Sequence, residues 1–282
     1  MPELPELVVM CEALESLVLG ELIAGARVYR PGILKTVDPS LESLAGVSFS
    51  SVTRRGKHLI LTCRNDLHVV IHLMVAGRLV LCQTNTTVTK ATGFVISFED
   101  GQDLRLVENG KTKRAKVHVV KRPEDVEWIS GAGPEPLSEA FTLESLREAV
   151  HGRRQQIKKV ITDQKSIAGI GTAYADEILF AAGISPIKYA STLDEEDAGR
   201  LFESIRKVLA DAIESIREQS GETLLGGHKR DFLQIYKKTG QPCPACGGQI
   251  AEIRYAQKRT YYCPTCQSAG KTLSDRRSWL TR

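Results

Sequence analysis

The sequence lacks any apolar run long enough to span a bilayer. Its first residues also lack the basic-then-apolar order of a secretory leader, so we expect a cytoplasmic protein. Aromatic residues make up only 6% of the chain, but 42% hydrophobic and 26% charged residues are typical of an ordinary globular protein. The chain contains no internal repeat or low-complexity segment, and its 282 residues suffice for one large domain or two ordinary ones.

Positive charge is concentrated towards the C-terminal end of the chain. Residues 227–282 carry eleven lysines and arginines against three acidic residues, a net charge of +8. The formal net charge of the whole chain is +4, so residues 1–226 carry −4. A basic segment of this kind favours a polyanionic partner such as nucleic acid, with a merely solvated basic surface as the alternative.

The pattern of apolar residues divides the chain into a β-rich part and a helical part. Residues 3–18 show helical spacing, and eight short β-type segments follow between about residues 22 and 121. Strands at this spacing predict an antiparallel sandwich or barrel. The segment GAGPEPLSEAF at 131–141 marks a boundary, and the residues after it predict helices, the longest from Asp194 to Arg217.

Four of the seven cysteines form two CxxC pairs that are sixteen residues apart: Cys243, Cys246, Cys263 and Cys266. This spacing is typical of a four-thiolate zinc ribbon, because Zn²⁺ takes four ligands tetrahedrally and each CxxC turn offers two sulfurs. We therefore predict one structural zinc, with a disulfide framework as the alternative. The remaining cysteines lie in apolar contexts and are expected to be core residues: Cys11, Cys63 and Cys82.

Two β-type stretches between the cysteine pairs predict a hairpin whose tip is basic, at Lys258 and Arg259. A closed four-thiolate site has no open coordination position for chemistry, so the zinc would serve to hold this hairpin. Nucleic-acid phosphate is the natural target for basic side chains presented in this way. A zinc clip with a purely structural role is the alternative.

A tight turn at Gly169 and Gly171 precedes one of the predicted helices. The unpaired backbone N–H groups at the start of a helix form a ready phosphate site. A lone GxG is weak evidence, since turns need glycine in any case. It becomes specific here because Tyr174-Ala-Asp-Glu177 follows it and the cysteine pairs come later in the chain.

Taken together, these segments resemble the bacterial formamidopyrimidine-DNA glycosylases of the wider endonuclease VIII superfamily. The matches run in order along the chain: PELPE (2–6), RRGKHL (54–59), IHLMVAGRL (71–79), GPEPL (133–137), QKSIAGIGTAYADEILFAAGISP (164–186) and YAQKRTYYCPTCQ (255–267). The resemblance implies an α+β multidomain fold with DNA bound in the cleft between its halves. Three parts are expected: an N-terminal antiparallel β-sandwich with an N-terminal helix (1–131), a helix–two-turn–helix domain (132–226), and a basic segment with a zinc-finger β-hairpin (227–282).

The resemblance assigns the catalytic chemistry to the N-terminus. Met1 is expected to be removed, because the next residue is small, which leaves Pro2 as a free secondary amine. An α-amino group has a pKa of about 8, so a usable fraction is neutral at physiological pH. By resemblance, Pro2 attacks the sugar C1′, Glu3 protonates the ring oxygen or the leaving group, and Lys57 contacts phosphate or the departing base.

Further positions match contacts to DNA or to the lesion. The resemblance places Gly171 and Thr172 at a DNA phosphate and Glu6 and Glu177 at the lesion pocket. The family's usual asparagine is Thr172 in this sequence, and a hydroxyl has a shorter reach than an amide. The family's usual finger arginine aligns with Lys258, and Arg259 follows it, so both remain candidates for the phosphate contact.

The sequence departs from the family where side chains fill the void left by a flipped base. The family's usual methionine aligns with Val75, next to Met74, and the usual Pro-Arg-Arg-Phe-Gly is replaced by residues 108–114. Those residues offer Lys111 and Arg114 as DNA contacts but no aromatic wedge. The segment GETLLGGHKRDFLQIY (221–236) is also shorter than the family's loop over 8-oxoguanine. We therefore expect formamidopyrimidines, oxidised pyrimidines, abasic sites or a bulky lesion as substrates in preference to 8-oxoguanine.

These features predict a base-excision-repair DNA glycosylase with abasic-site lyase activity. It would act on damaged DNA as a monomer with one structural Zn²⁺, in the bacterial cytoplasm in association with the nucleoid. The chemistry would run through a Schiff base on the N-terminal proline, followed by β,δ-elimination. The alternative is a catalytically weak paralogue that binds DNA damage.

Overall fold

The computed structural model describes residues 1–219, 230–255 and 258–274. The chain groups into two compact units, of which the first comprises residues 1–132 with 213–228 and the second residues 133–212 with 229–282. Because this grouping follows compactness alone, the division at 1–131, 132–226 and 227–282 stays a prediction.

The first unit begins with the helix α1 (Leu4–Val18), as the periodicity predicts. Pro5 lies in the first turn, where a missing backbone N–H costs no helical hydrogen bond. The backbone N–H of Glu3 donates to the Glu6 carboxylate at 2.8 Å, which caps the start of the helix. The apolar side of α1, including Leu7 and Leu14, is buried in the core of the sandwich.

Two four-stranded antiparallel sheets follow, and their facing sides enclose that core. One sheet has the order β1-β6-β7-β5 and the other β2-β3-β4-β8. The strands are β1 (Ile23–Val28), β2 (Phe49–Arg55), β3 (His58–Cys63), β4 (His68–His72), β5 (Gly77–Gln83), β6 (Thr92–Phe98), β7 (Gln102–Glu108) and β8 (Lys116–Val120). These strands confirm the predicted antiparallel sandwich.

In the sheet β2-β3-β4-β8, successive side chains along a strand point alternately into the core and to the outer face. Leu59 and Leu61 of β3 point into the core, and Ile60 between them joins an outer cluster with Val126 and Ile129. The short helix α2 (Glu127–Ser130) contributes Ile129 to this outer cluster. Cys11 and Cys63 are buried as expected, but Cys82 is only half-buried because it lies on β5 among partly exposed positions.

The second unit is built from short helices and the zinc-finger hairpin. The elements are α3 (Leu143–Val150), α4 (Ile157–Thr162), α5 (Thr172–Ala181), α6 (Glu195–Gln219), which continues into the first unit, β9 (Ala251–Tyr255), β10 (Lys258–Tyr262) and α7 (Pro264–Ser268). The helix α5 begins directly after the predicted turn at Gly169 and Gly171, because Gly171 has extended backbone and serves as its N-cap. Within the described ranges no helix combines the length and apolarity needed to cross a membrane.

Candidate active site and nucleic-acid interface

The start of α1 positions two acidic side chains next to Pro2. Glu3 is 3% exposed and Glu6 4%, and Pro2 is half-buried. Glu6 is occupied as a cap, since its carboxylate accepts the Glu3 backbone N–H. The second Pro-Glu pair of the sequence therefore builds the first helical turn, and that turn fixes the backbone that carries Glu3.

Lys57 follows the turn between β2 and β3, where Gly56 has a φ of 56°. The lysine is only 8% exposed, which is unusual for an ammonium side chain. It lies near the imidazole of His72, whose pKa falls to about 4 through burial first and the charge of Lys57 second. A buried cation at this position is suited to hold an anionic group.

His58 and His72 form a pair that no local sequence pattern indicates. Their ring centroids are 4.5 Å apart at an interplanar angle of 75°, and the two residues directly flank the paired residues Leu59 and Ile71 on β3 and β4. Burial, with His72 and His118 as further causes, lowers the pKa of His58 to about 3. Both rings are therefore neutral at physiological pH, and the region around Lys57 carries no imidazolium.

His72 also holds the turn that presents Met74 and Val75. The Met74 backbone N–H donates to His72 Nδ1 at 2.9 Å, and Met74 has a φ of 52°. The turn closes through the Gly77 backbone N–H, which donates to the Leu73 carbonyl at 2.9 Å. A Cβ on Gly77 would lie 2.3 Å from that carbonyl oxygen, so only glycine fits there. The turn leaves Val75 70% exposed.

A second loop, at residues 109–114, lies beside this turn. A Cβ on Gly110 would come within 3.1 Å of the Ala76 side chain. The loop is anchored by the buried Glu108, whose carboxylate accepts the backbone N–H of Arg114 at 2.8 Å and pairs with Arg30. The Lys111 and Arg114 side chains remain exposed. The structure thus places the predicted DNA contacts of the two loops, at 74–75 and at 111–114, in one region of the first unit.

In the second unit, the turn before α5 is fixed by a glutamine. Gln164 Oε1 accepts the Gly169 backbone N–H at 3.0 Å, and Gln164 Nε2 donates to the Ile170 carbonyl at 2.8 Å. Gly171 is buried as the N-cap of α5, and Thr172 is exposed at the first helical position. Gln164 therefore fixes the turn that leads into α5, and the predicted phosphate site at the start of this helix stays a prediction.

The four paired cysteines come together within 4.8 Å of one another through their sulfur atoms. Four thiolates in this arrangement fit a single tetrahedral zinc ion and leave no open position for substrate. The Cys263 backbone N–H donates to Gln267 Oε1 at 2.8 Å, and Gln267 Nε2 donates to the Ile184 carbonyl at 2.9 Å. The zinc cluster is thereby tied to the loop after α5.

The hairpin β9–β10 extends from this cluster, with Arg259 paired opposite Arg254. Arg259 lines a cavity of about 540 Å³ together with Thr172, Tyr236 and Tyr261. The helix start and a hairpin arginine thus face the same space. Residues 256–257 and the side chain of Lys258 lie outside the described part of the chain.

Two adjacent acidic residues of α5 bind other parts of the second unit. Glu177 is 4% exposed and accepts the backbone N–H groups of Gln234, Ile235 and Tyr236 at 2.8–2.9 Å. Asp176 is fully buried, with Lys158 Nζ 2.6 Å from its Oδ1. Both oxygens of Glu177 are therefore engaged by the chain itself. Its predicted part in the lesion pocket stays a prediction.

Lys158 connects α4 to the hairpin. Its Nζ donates to Thr260 Oγ1 at 2.8 Å and to the Arg259 carbonyl at 3.4 Å. No local pattern in the sequence indicates this link, because the hairpin partners of Lys158 lie about a hundred residues away in the chain. Glu252 and Arg254 lie two residues apart on β9, and Arg259 joins them only because the hairpin pairs.

The first unit is a β-sandwich with an acidic, capped N-terminus. The second combines helices with a four-cysteine hairpin whose arginines line a cavity, and the two units together define a class of zinc-finger proteins with a basic site. Three family models match in the same order. They are described as the formamidopyrimidine-DNA glycosylase N-terminal domain (residues 1–114), the formamidopyrimidine-DNA glycosylase H2TH domain (132–222) and the zinc finger found in FPG and IleRS (240–269).

Known proteins agree with these matches over nearly the whole chain. The formamidopyrimidine-DNA glycosylase of Moorella thermoacetica is 36% identical over 260 residues, which cover 90% of this chain and 95% of that protein. The structure of Lactococcus lactis Fpg with DNA containing an abasic site superposes with a TM-score of 0.85 at 28% identity, covering 94% and 99% of the chains. MutM in complex with DNA containing carbocyclic 8-oxo-G gives a TM-score of 0.84 at 30% identity, covering 95% and 100%.

The chain therefore belongs to the formamidopyrimidine-DNA glycosylase family, whose members are enzymes of DNA base-excision repair. The four-cysteine cluster and the matching zinc-finger model give it one structural zinc site.

The predicted site residues divide between the two units. The first unit holds Pro2, Glu3, Glu6, Lys57, Met74, Val75, Lys111 and Arg114, and the second holds Gly171, Thr172, Glu177, Lys258, Arg259 and the four cysteines.

Proposed function

We propose that this protein is a bifunctional DNA glycosylase and abasic-site lyase that uses Pro2 as its nucleophile. The observation that carries the proposal is the position of Glu3, which is buried at the capped start of α1 directly after Pro2. A removable initiator methionine would expose a secondary amine whose neighbour is a fixed carboxyl group.

The chemistry follows from the properties of a secondary amine. Pro2 nitrogen attacks the sugar C1′ as the bond to the base breaks, and the nitrogen loses its proton to solvent. Glu3 supplies a proton to the ring oxygen or to the leaving base, and cleavage of the bond between C1′ and the ring oxygen opens the sugar and gives an iminium ion. This iminium carries no nitrogen proton and cannot become a neutral imine, so it remains an electron sink. Loss of the 2′ proton then expels the 3′ phosphate, and a further elimination expels the 5′ phosphate. Lys57 is the buried cation proposed to hold phosphate or the departing base.

Binding of damaged DNA is proposed to use groups from both units. The start of α5, with Gly171 as its N-cap and Thr172 exposed at the first helical position, is the proposed phosphate contact, and Arg259 lines the same cavity as Thr172. This shared cavity favours Arg259 as a phosphate contact, while Lys258 stays a candidate. Binding of this kind weakens steeply with added salt.

Substrate preference is proposed to lie with formamidopyrimidines, oxidised pyrimidines and abasic sites. The turn at Met74 and Val75 and the loop with Lys111 and Arg114 lack an aromatic wedge to fill the void beside a flipped base. The shortened segment 221–236 lies largely outside the described residues, so it enters here from sequence alone.

Borohydride trapping on an oligonucleotide with an abasic site tests the nucleophile. We expect a covalent adduct with the processed wild type and none with Pro2→Gly or with a form that retains Met1. A mass measurement of the intact protein establishes whether Met1 is present. An adduct that forms equally well with Pro2→Gly would overturn the assignment of Pro2.

The second candidate is a DNA-damage-binding paralogue with weak catalysis, favoured by Thr172 and Val75 at positions where the family usually has asparagine and methionine. A lesion panel separates the two functions. Tight binding to damaged duplexes without a trapped adduct or strand cleavage, with Met1 shown to be absent, would establish the paralogue.

We further propose that the protein acts as a monomer, and that it resides in the bacterial cytoplasm at the nucleoid. Light scattering of the protein alone and with a short duplex checks the first of these. A mass of about two chains would contradict it.

A further inference from the structure

An acidic side chain occupies an otherwise basic cavity in the second unit. Three cationic residues line this cavity of about 540 Å³, namely Lys237, Arg254 and Arg259. Among its described lining residues, Glu252 is the one acid. A carboxylate at a site that would receive DNA phosphate calls for an explanation, since like charges repel.

Glu252 is engaged through both of its oxygens. Oε1 accepts the Arg254 Nε–H, and Oε2 accepts the Thr239 hydroxyl at 2.9 Å. Arg259 Nη1 lies 3.7 Å from Oε2. The Glu252 side chain is 9% exposed, against 67% for Arg254 and 55% for Arg259. The acid thus lies at the bottom of the cavity, and the two arginines remain accessible from solvent.

Strand register explains why these three side chains meet. Arg254 pairs directly with Arg259 across the hairpin, and Glu252 comes two residues before Arg254 on the same face of β9. Two arginines opposite each other would repel, so a carboxylate next to them stabilises the pair. The hydrogen bond from Arg254, with further contributions from Thr239 and both arginine charges, lowers the pKa of Glu252.

We propose that Glu252 is an internal competitor of DNA phosphate, which holds Arg254 and Arg259 until a phosphate takes its place. This inference rests on the proposed DNA-binding function. It adds Arg254 as a second phosphate contact. It also makes Glu252 a residue that weakens the binding of DNA and speeds the dissociation of DNA. Each phosphate contact here exchanges one ion pair for another, so it yields less binding free energy and releases fewer counterions than an unpaired arginine would.

Glu252→Gln tests the proposal, because glutamine keeps the shape and the bond to Thr239 but removes the charge. We expect the dissociation constant for a duplex containing a tetrahydrofuran abasic analogue to fall about two- to fivefold. We also expect slower dissociation and a steeper dependence of binding on salt concentration. Glu203→Gln is the matched control, since it removes the same charge from an exposed position on α6 that does not line the cavity.

A second experiment tests whether the effect of Glu252→Gln depends on the two arginines. In a background of Arg254→Ala and Arg259→Ala, Glu252→Gln should no longer tighten binding, because the carboxylate then has no cation to hold. Zinc content and thermal unfolding of each variant confirm that the finger is folded.

The outcomes separate the inference from the function on which it rests. Weaker or unchanged binding by Glu252→Gln, with wild-type binding intact, would overturn the role of Glu252 alone. Tighter binding that persists without the arginines would also overturn it, since a general change in charge would then be the cause. If neither wild type nor Glu252→Gln binds any duplex, the DNA-binding function and this inference both fail.

Discussion

Met74 has a left-handed backbone conformation that residues with a side chain rarely adopt, with a φ of 52°. The hydrogen bond from its backbone N–H to His72 holds this conformation. A glycine at this position would relieve strain of about 1 kcal/mol. A methionine at this strained position therefore points to a function of its side chain, and filling the void beside a flipped base is the function that we test.

We expect Met74→Gly to change the free energy of unfolding by less than about 1 kcal/mol, because the relieved strain is offset by the greater freedom of glycine in the unfolded chain. Excision of a damaged base should nevertheless fall about tenfold or more, equivalent to about 1.4 kcal/mol of barrier. Denaturant unfolding and single-turnover excision measure the two quantities.

Cleavage at a preformed abasic site is the control reaction for this variant, since no stacked base has to be extruded there. It should fall much less than base excision. An equal loss on both substrates would show that Met74 acts on the fold of the site and does not fill a void.

At the scale of the element, α5 combines three roles on one short helix. Its start carries Thr172, the proposed phosphate contact. Glu177 accepts backbone N–H groups of residues 234–236, and Asp176 pairs with Lys158, which also donates to Thr260 of the hairpin. Burial is the largest cause of the shift that raises the pKa of Asp176 to about 7, while Lys158 opposes it. Burial also raises the pKa of the neighbouring Glu177, so the contribution of Asp176 to the pH dependence of unfolding has to be isolated by its own variant.

A carboxyl whose pKa is higher in the folded protein binds its proton more tightly there than in the unfolded chain. Asp176 therefore stabilises the fold at low pH, and this contribution is lost as pH rises from about 4 through about 7. Relative to Asp176→Asn, we expect wild-type stability to decline between pH 5 and pH 7 by up to about 1.4 kcal/mol per pH unit.

Denaturant titrations of both proteins at several pH values measure this difference. Asp211→Asn is a matched control, because Asp211 is an exposed aspartate on α6. A difference between wild type and Asp176→Asn that stays constant with pH would contradict a titration of Asp176 in this range.

At the scale of the whole molecule, the zinc site should decide whether the hairpin is presented at all. The chain should bind one zinc ion, because one cluster of four thiolates is present among the described residues. Removal by chelation, or Cys263→Ser, is expected to unfold the finger, since a structural zinc supplies folding free energy to so small a module.

We expect Cys263→Ser to lose zinc and to weaken DNA binding more than about tenfold, because the hairpin arginines are no longer fixed. Amide hydrogen exchange should accelerate at 240–269 while β3 and β4 of the sandwich keep their protection. Cys82→Ser is the matched control, as Cys82 is a half-buried cysteine outside the cluster. Retained zinc in Cys263→Ser, or loss of protection throughout the sandwich, would contradict a local role for the metal.

Much of this protein was determined by local sequence. Apolar alternation located all eight strands of the sandwich, and the CxxC pairs located the zinc ligands, since both patterns depend on residues close in the chain. The apolar spacing of residues 3–18 likewise located α1, and the turn at Gly169 and Gly171 located the start of α5, because helical spacing and tight turns depend on residues close in the chain.

Tertiary structure alone decided which side chains meet. Three contacts arise from strand register or from packing of distant segments: the neutral pair of His58 and His72, the link from Lys158 to Thr260, and the approach of Arg259 to Glu252. These contacts set burial and local charge, which together fix pKa values and the accessibility of phosphate-binding groups. A pattern along the chain carries no such information, because electrostatic interactions depend on distance in space.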